Sequence, residues 1–253
     1  MVAIVRRIAA QKRAPTDPGY ANATTTNQGA DTAPDPTVRF WEPVLHDWTP
    51  KDLTPHDENV EVYSNAEEVE LFLNGKSLGT KPRNADARPI VYTVPFEVGT
   101  LKVVARSEGK IVATDELKTA GKAARIVLAA DLPTTPLTQD WNDVRYVTAT
   151  LVDAEGTRIP DSETRVHFAV AGPAAFVAVD NGNLNDHDPY RASERKLYYG
   201  NAVALLRATA SAGKVTVTAS ADGVAAATAT LTAGPISAED KAIAKTSATG
   251  RGF

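Results

Sequence analysis

The stretch VELFLNGKSLGT, Val69 to Thr80, decides how the chain folds. Val69, Leu71 and Leu73 fall on one face of an extended strand, and Glu70, Phe72 and Asn74 on the other, because strand side chains alternate. Asn74-Gly75 then supplies the two positive-φ residues of a tight hairpin turn.

Working outward, residues 59 to 120 read as NVEVYSN, EVELFLNG, KSLGTKP, PIVYTVPF, TLKVVARS and KIVATDELK. Turn signals stand at Asn65-Ala66, Asn74-Gly75 and Glu108-Gly109. Short strands recurring roughly every 8–12 residues predict a small immunoglobulin-like sandwich. Gly121-Lys122 marks a joint, and residues 121 to 234 repeat the theme at larger size. There ARIVLAAD, VRYVTATLVDAEG, TRVHFAV, FVAVDNG, NAVALLRATA, KVTVTASADG and VAAATATLTA read as strands, with a turn over Asp153 to Gly156. Residues 1 to 58 read as an extended arm and linker, with one strand over Met1 to Ile8 and a Thr/Asn/Gly/Pro-rich linker over Asn22 to Thr37. Residues 235 to 253 read as a flexible tail holding one short helix, SAEDKAIAK, at 237 to 245. The expected fold is all-β: two immunoglobulin-like antiparallel β-sandwich domains in tandem, behind an N-terminal arm.

Composition narrows the partners. The 253 residues carry 27 basic and 31 acidic side chains, a net charge of −4, so no basic stripe prepares the chain for nucleic acid. Cysteine is absent, which removes disulfides and thiolate metal sites. No stretch approaches the roughly 20 apolar residues of a membrane span. The start MVAIVRRIAAQKR does not read as a secretory signal, because its apolar run is short and its arginines follow it. Compartment stays open.

Two segments hold the candidate site residues. In FWEPVLHDWTPKDLTPHD, Trp41 and Trp48 read either as pins that hold an extended chain on a neighbouring domain or as sugar-stacking platforms. His46 and His56 flank Trp48 without a third ligand, so zinc is not expected. In VDNGNLNDHDPYRASERK, residues Asp180, Asn181, Asn183, His187, Asp188, Tyr190 and Arg191 are the carbohydrate-binding candidates, with Tyr190 as a stacking ring. The bland alternative is a loop whose Asx side chains bond their own backbone. If the loop did chemistry, Asp186, Asp188 and Glu194 would have to supply the carboxylates. No cofactor is expected. The loop's oxygens suit calcium, but the spacing of an EF-hand is absent. His167, between Val166 and Phe168, reads as structural. No GxSxG elbow and no phosphate-cradling glycine loop occurs.

At NVEVYSNAEEVELFLNGKSLGT and the following PFEVGTLKVVARSEGKIVATDELKTAG, the chain resembles the domain that follows the barrel in bacterial β-galactosidases of glycoside hydrolase family 2. Its second half is similar to the C-terminal immunoglobulin-like domain of the same enzymes. That likeness rests on Leu151 to Gly156, Val179-Asp180-Asn181-Gly182, His187-Asp188-Pro189, Arg195, Gly200 and Arg207. MVAIVRR looks like the segment that leaves the barrel. The resemblance implies catalytic glutamates on a (β/α)₈ barrel of about 250 residues, for which this chain has no counterpart. It therefore implies an accessory region that serves as scaffold, oligomer contact or carbohydrate binder. The alternative is a free-standing glycosidase acting on β-galactosides through the 180–194 loop. Partners implied are a galactoside or polysaccharide, a barrel domain or subunit, or a second copy. Such parent enzymes are often exported.

Overall fold

The computed structural model describes residues 1–8, 44–139 and 143–235. Trp41, the linker at 22–37 and the expected helix at 237–245 lie outside these residues. The chain divides into two units, Met1–Thr119 and Ala120–Phe253. Each contains two four-stranded antiparallel sheets, and no helix occurs among the described residues.

In the first unit, β1 (Val2–Arg7), β2 (Val44–Leu45), β3 (Asp57–Ser64) and β6 (Ile90–Pro95) form one sheet in the order β2-β1-β3-β6. The other sheet holds β4 (Glu68–Leu73), β5 (Lys76–Pro82), β7 (Thr100–Ser107) and β8 (Lys110–Lys118) in the order β5-β4-β7-β8. β4 and β5 join through Asn74 and Gly75 at φ of 49° and 81°, the mirror-image turn expected from the sequence. β7 and β8 join the same way through Glu108 and Gly109, at 50° and 72°. Asn65-Ala66 behaves differently. β3 and β4 belong to different sheets, so this corner crosses between layers, and Ala66 is buried in it.

Val69, Leu71 and Leu73 enter a core with Ile4, Val60, Val62, Leu101 and Val103. Each such side chain stabilises the fold by roughly 1.5–3 kcal/mol relative to exposure. Residues assigned from sequence to the arm are part of this unit. β1 pairs with β3 from Val2↔Ser64 to Arg7↔Asn59, and Ile4 is fully buried. The free edge of β1 is closed where the Ile4 N–H donates to Asp115 Oδ2 on β8 at 2.8 Å.

In the second unit, β9 (Arg125–Ala130), β10 (Arg145–Val152), β12 (Ala174–Asp180) and β14 (Asn201–Ala208) form a sheet in the order β12-β14-β10-β9. β11 (Arg165–Ala171), β13 (Glu194–Lys196), β15 (Gly213–Ser220) and β16 (Ala227–Ala233) form the other, in the order β13-β11-β15-β16. Two apolar clusters fill the interior, one around Leu151, Val166 and Phe168 and one around Leu206, Val215 and Val217. Thr216 and Thr218 sit opposite Thr230 and Thr228, the polar outward face that the alternation predicts. β13 was not anticipated. It takes the end of the presumed loop into a sheet.

Asp153, at the expected turn, is buried and acts as a clip. Its Oδ2 accepts the Gly121 N–H at 2.8 Å and its Oδ1 accepts the Thr157 N–H at 2.7 Å. Burial pushes its carboxyl up, yet the N–H groups of Gly121, Thr157 and Gly156 together hold it below its ordinary value.

Candidate functional site

The loop between β12 and β13 carries nearly all the sequence-predicted site residues, and it is organised from below by Arg195. This side chain points inward from β13, opposite Val166 of β11, and is only 1% exposed. Its Nη2 donates to Val179 O of β12 at 2.8 Å, and its Nη1 donates to Asp188 O at 2.8 Å. The same Nη1 lies 3.2 Å from Asp186 Oδ1. One guanidinium thus ties β13, β12 and the loop together, using the planar fork that lysine lacks. The Tyr190 ring lies over it, with Arg195 Cζ 5.1 Å from the ring centroid. Tyr190 O accepts the Val179 N–H at 2.8 Å, which draws the loop back along β12.

Above this anchor the Asx side chains bond their own backbone. Asp180 Oδ1 accepts the N–H groups of Asn181 and Gly182, at 2.7 and 3.2 Å. Asn181 Oδ1 accepts the Asn183 N–H, and Asn183 Oδ1 accepts the Asn185 N–H. Asp186 Oδ1 accepts the Asp188 N–H at 2.9 Å. Asn181 Nδ2 donates to Asp186 Oδ2 and to Lys196 O. These are consecutive Asx turns. Asp180, Asn181, Asn183 and Asp186 therefore spend polar atoms on the loop itself. His187, Tyr190 and Arg191 are the candidates left exposed.

The carboxylates nominated for catalysis are each matched to a cation. Asp188 Oδ2 lies 2.8 Å from Arg165 Nη1, and Glu194 Oε1 lies 3.2 Å from the same nitrogen. Glu194 Oε2 also meets His167 Nδ1 at 2.8 Å. The Asp188 N–H, ahead of the Asn181 amide and the Arg195 and Arg165 charges, outweighs burial and holds the Asp186 carboxyl below its ordinary value. A glycosidase acid needs the opposite shift, because it must stay protonated at working pH. Arg165 and His167 were not singled out from sequence as partners of this loop. Their alternation on β11 put them on one face, but their pairing to Glu194 depends on β13, whose three residues give no periodicity. Among the described residues, no three His, Asp or Glu side chains are grouped as a metal ion's ligands would be.

Trp48 is not a sugar platform. It is 0% exposed, its Nε1 donates to Glu97 O at 3.0 Å, and its ring lies 5.3 Å from that of Phe96. It is a pin, because an indole buried on both faces leaves nothing for a pyranose to cover. Beside it lies a second buried polar cluster. Arg6 donates to Asp47 Oδ1 through Nε and Nη2, at 3.1 and 2.9 Å, and through Nη1 to Glu58 Oε1 at 3.3 Å. His56 Nε2 lies 2.9 Å from that same Glu58 oxygen. Further along the sheet Arg7 grips Glu61 through Nε at 2.6 Å and Nη2 at 2.9 Å. The Arg7 contact, aided by the Tyr63 hydroxyl, lowers the Glu61 pKa.

Comparison with known proteins places both units. Residues 126–230 match the model of glycoside hydrolase family 2 C-terminal domain 5, and residues 57–113 match a domain of unknown function (DUF4982). The chain is 40% identical over 162 residues to a Bacteroides ovatus β-galactosidase, covering 64% of this chain and 19% of that protein. A solved family 2 glycosyl hydrolase from Bacteroides cellulosilyticus superimposes with a TM-score of 0.75 at 33% identity, over 91% of this chain and 28% of that one. A β-glycosidase structure from Bacteroides vulgatus gives 0.67 at 28% identity, over 74% of this chain and 24% of that one. The chain thus spans under a third of each relative's length.

Proposed function

Since the chain belongs to the C-terminal β-sandwich region of glycoside hydrolase family 2, we propose that it is a scaffold bracing a longer glycoside hydrolase and cleaves no glycosidic bond with its own carboxylates. One observation carries this reading. The acidic loop is closed on itself, with Asp186, Asp188 and Glu194 matched to Arg195, Arg165 and His167. Such pairing commits these carboxylates to loop geometry, and for Asp186 it favours the ionised form, which opposes proton donation. The partner on this reading is a barrel-bearing domain or subunit.

Carbohydrate contact is a second reading, with one specific support. Tyr190 is 59% exposed on a loop stiffened from beneath, and His187 and Arg191 are exposed beside it. A rigid aromatic ring with polar neighbours suits the apolar face of a sugar.

The experiment is an assay of purified chain, made in a host lacking its own enzymes, with chromogenic β-galactoside and β-glucuronide. No turnover is expected. Turnover that disappears in Asp188→Ala and Glu194→Ala would overturn the scaffold reading and place the chemistry in this loop. Titration with galactose, lactose and plant polysaccharides tests the second reading, which predicts saturable binding that is lost in Tyr190→Ala. Absence of a heat or chemical-shift response at millimolar sugar removes it.

A further inference from the structure

The segment that carries Trp48 is held by charges whose balance depends on one proton. His56 Nδ1 lies 2.7 Å from Thr54 O, and a carbonyl oxygen only accepts, so Nδ1 bears hydrogen. His56 Nε2 lies 2.9 Å from Glu58 Oε1, and an ionised carboxylate only accepts, so Nε2 bears hydrogen as well. A ring with both nitrogens protonated is a cation. The four side chains then balance: Arg6 and His56 positive, Asp47 and Glu58 negative.

Burial makes that balance matter. Side-chain exposure is 7% for Arg6, 5% for Asp47, 11% for Glu58 and 30% for His56. Arg6 has no charge to spare, because it serves both carboxylates and reaches Thr49 O at 3.5 Å. Among the described residues, Asp47 Oδ2 has no hydrogen-bond partner. Among the described residues, the groups facing His56 are Glu58 on β3, Asp52 and Thr54 in its own loop, and the Phe96 ring at 5.5 Å beyond β6. None of these can replace the lost positive charge. Removing the His56 proton leaves the set net negative in a water-poor site, and a buried uncompensated charge is strongly unfavourable.

We propose that Arg6, Asp47, Glu58 and His56 form a pH-gated clasp, which fastens residues 47–58 and the Trp48 ring onto the first unit while His56 carries its second ring proton and loosens as His56 deprotonates. The Glu58 hydrogen bond, followed by that to Thr54 O, raises the His56 pKa above its ordinary 6.5, in agreement with the geometry. The sign follows from linkage. A group whose folded pKa is raised stabilises the fold fully below its unfolded pKa, and that contribution is lost as pH rises through the folded value. Each pKa unit by which the folded value exceeds 6.5 makes the clasp about tenfold easier to open at alkaline than at acid pH.

The test is an NMR titration of the histidine rings in the whole chain, with His56 assigned by its disappearance in His56→Gln. Amide hydrogen exchange of residues 47–58 is followed in parallel, corrected for the intrinsic pH dependence of exchange. Expected are a His56 midpoint above 6.5, faster exchange of 47–58 as pH passes that midpoint, and a midpoint returned toward 6.5 in Glu58→Gln. A wild-type midpoint at or below 6.5, a midpoint indifferent to Glu58→Gln, or exchange of 47–58 without this pH dependence overturns the clasp. Should His56→Gln not fold, assignment passes to through-bond correlation in the wild type, and the other readouts decide.

Discussion

Each unit buries an arginine that organises acidic side chains, Arg6 in the first and Arg195 in the second, and the two clusters work differently. Arg195 in the second unit holds mostly backbone, the carbonyls of Val179 and Asp188, and its one close carboxylate, Asp186, is further secured by an N–H and an amide. Arg6 in the first unit holds mostly carboxylates, and it needs a histidine to complete the charge balance. The first pattern makes a loop stiff over a wide pH range. The second makes a segment conditional. An acidic loop is therefore no more a catalytic site than its cations and amides allow.

The sharpest way to break the comparison is to remove either anchor. Arg195→Ala and Arg6→Ala should each cost about 3–5 kcal/mol, measured by urea denaturation. Asp47 and Glu58 lose their counter-charge in Arg6→Ala, and Asp186 and the carbonyls of Val179 and Asp188 lose their donor in Arg195→Ala. Trp48→Ala should fall in the same range, about 3–5 kcal/mol, as a fully buried aromatic ring is lost. A small effect for Trp48→Ala would mean that the ring is not the pin it is taken to be.

Asp186→Asn is expected to cost less, roughly 1–3 kcal/mol by the same measurement, since the amide keeps shape but weakens what the Asp188 N–H and Arg195 receive. Acid should act on both units together. Asp153 and Asp186 in one, and Glu61 in the other, have folded pKa values below their ordinary 3.8 or 4.5. Their contribution is present above those unfolded values and is lost as pH falls through the lower folded ones. Urea midpoints should therefore decline below about pH 4. A midpoint independent of pH there would remove the claim that these carboxylates are favourably held. At the bottom of the scale, Tyr190→Ala should change stability by no more than about 0.5 kcal/mol, because the ring is exposed.

Much of the fold was legible because its signals are local. Asn74-Gly75 and Glu108-Gly109 sit between alternating runs, and both pairs adopt the positive φ that the turn demands. The chain of Asx turns was legible too, since Asp180, Asn181, Asn183 and Asp186 each precede by two residues the N–H they accept. What escaped were elements without a period. β2 has two residues and β13 three, too short for alternation to declare itself. The sheet role of residues 2–7 was hidden behind the long Thr-rich stretch that follows them. The roles of Arg195 and Arg6 could not be read, because each joins residues far apart in sequence. His56 and Glu58 were the exception: two positions apart at the start of a strand, they share a face, and that spacing was a usable sign.

The measurement that tests the central claim most directly is an NMR titration of the Asp186 carboxyl. The account predicts a midpoint below the ordinary 3.8, moving upward when Asn181→Ala takes away one of its donors. A midpoint near 6, the range of a proton-donating carboxylic acid, would contradict it and reopen the loop as a site of glycosidic chemistry.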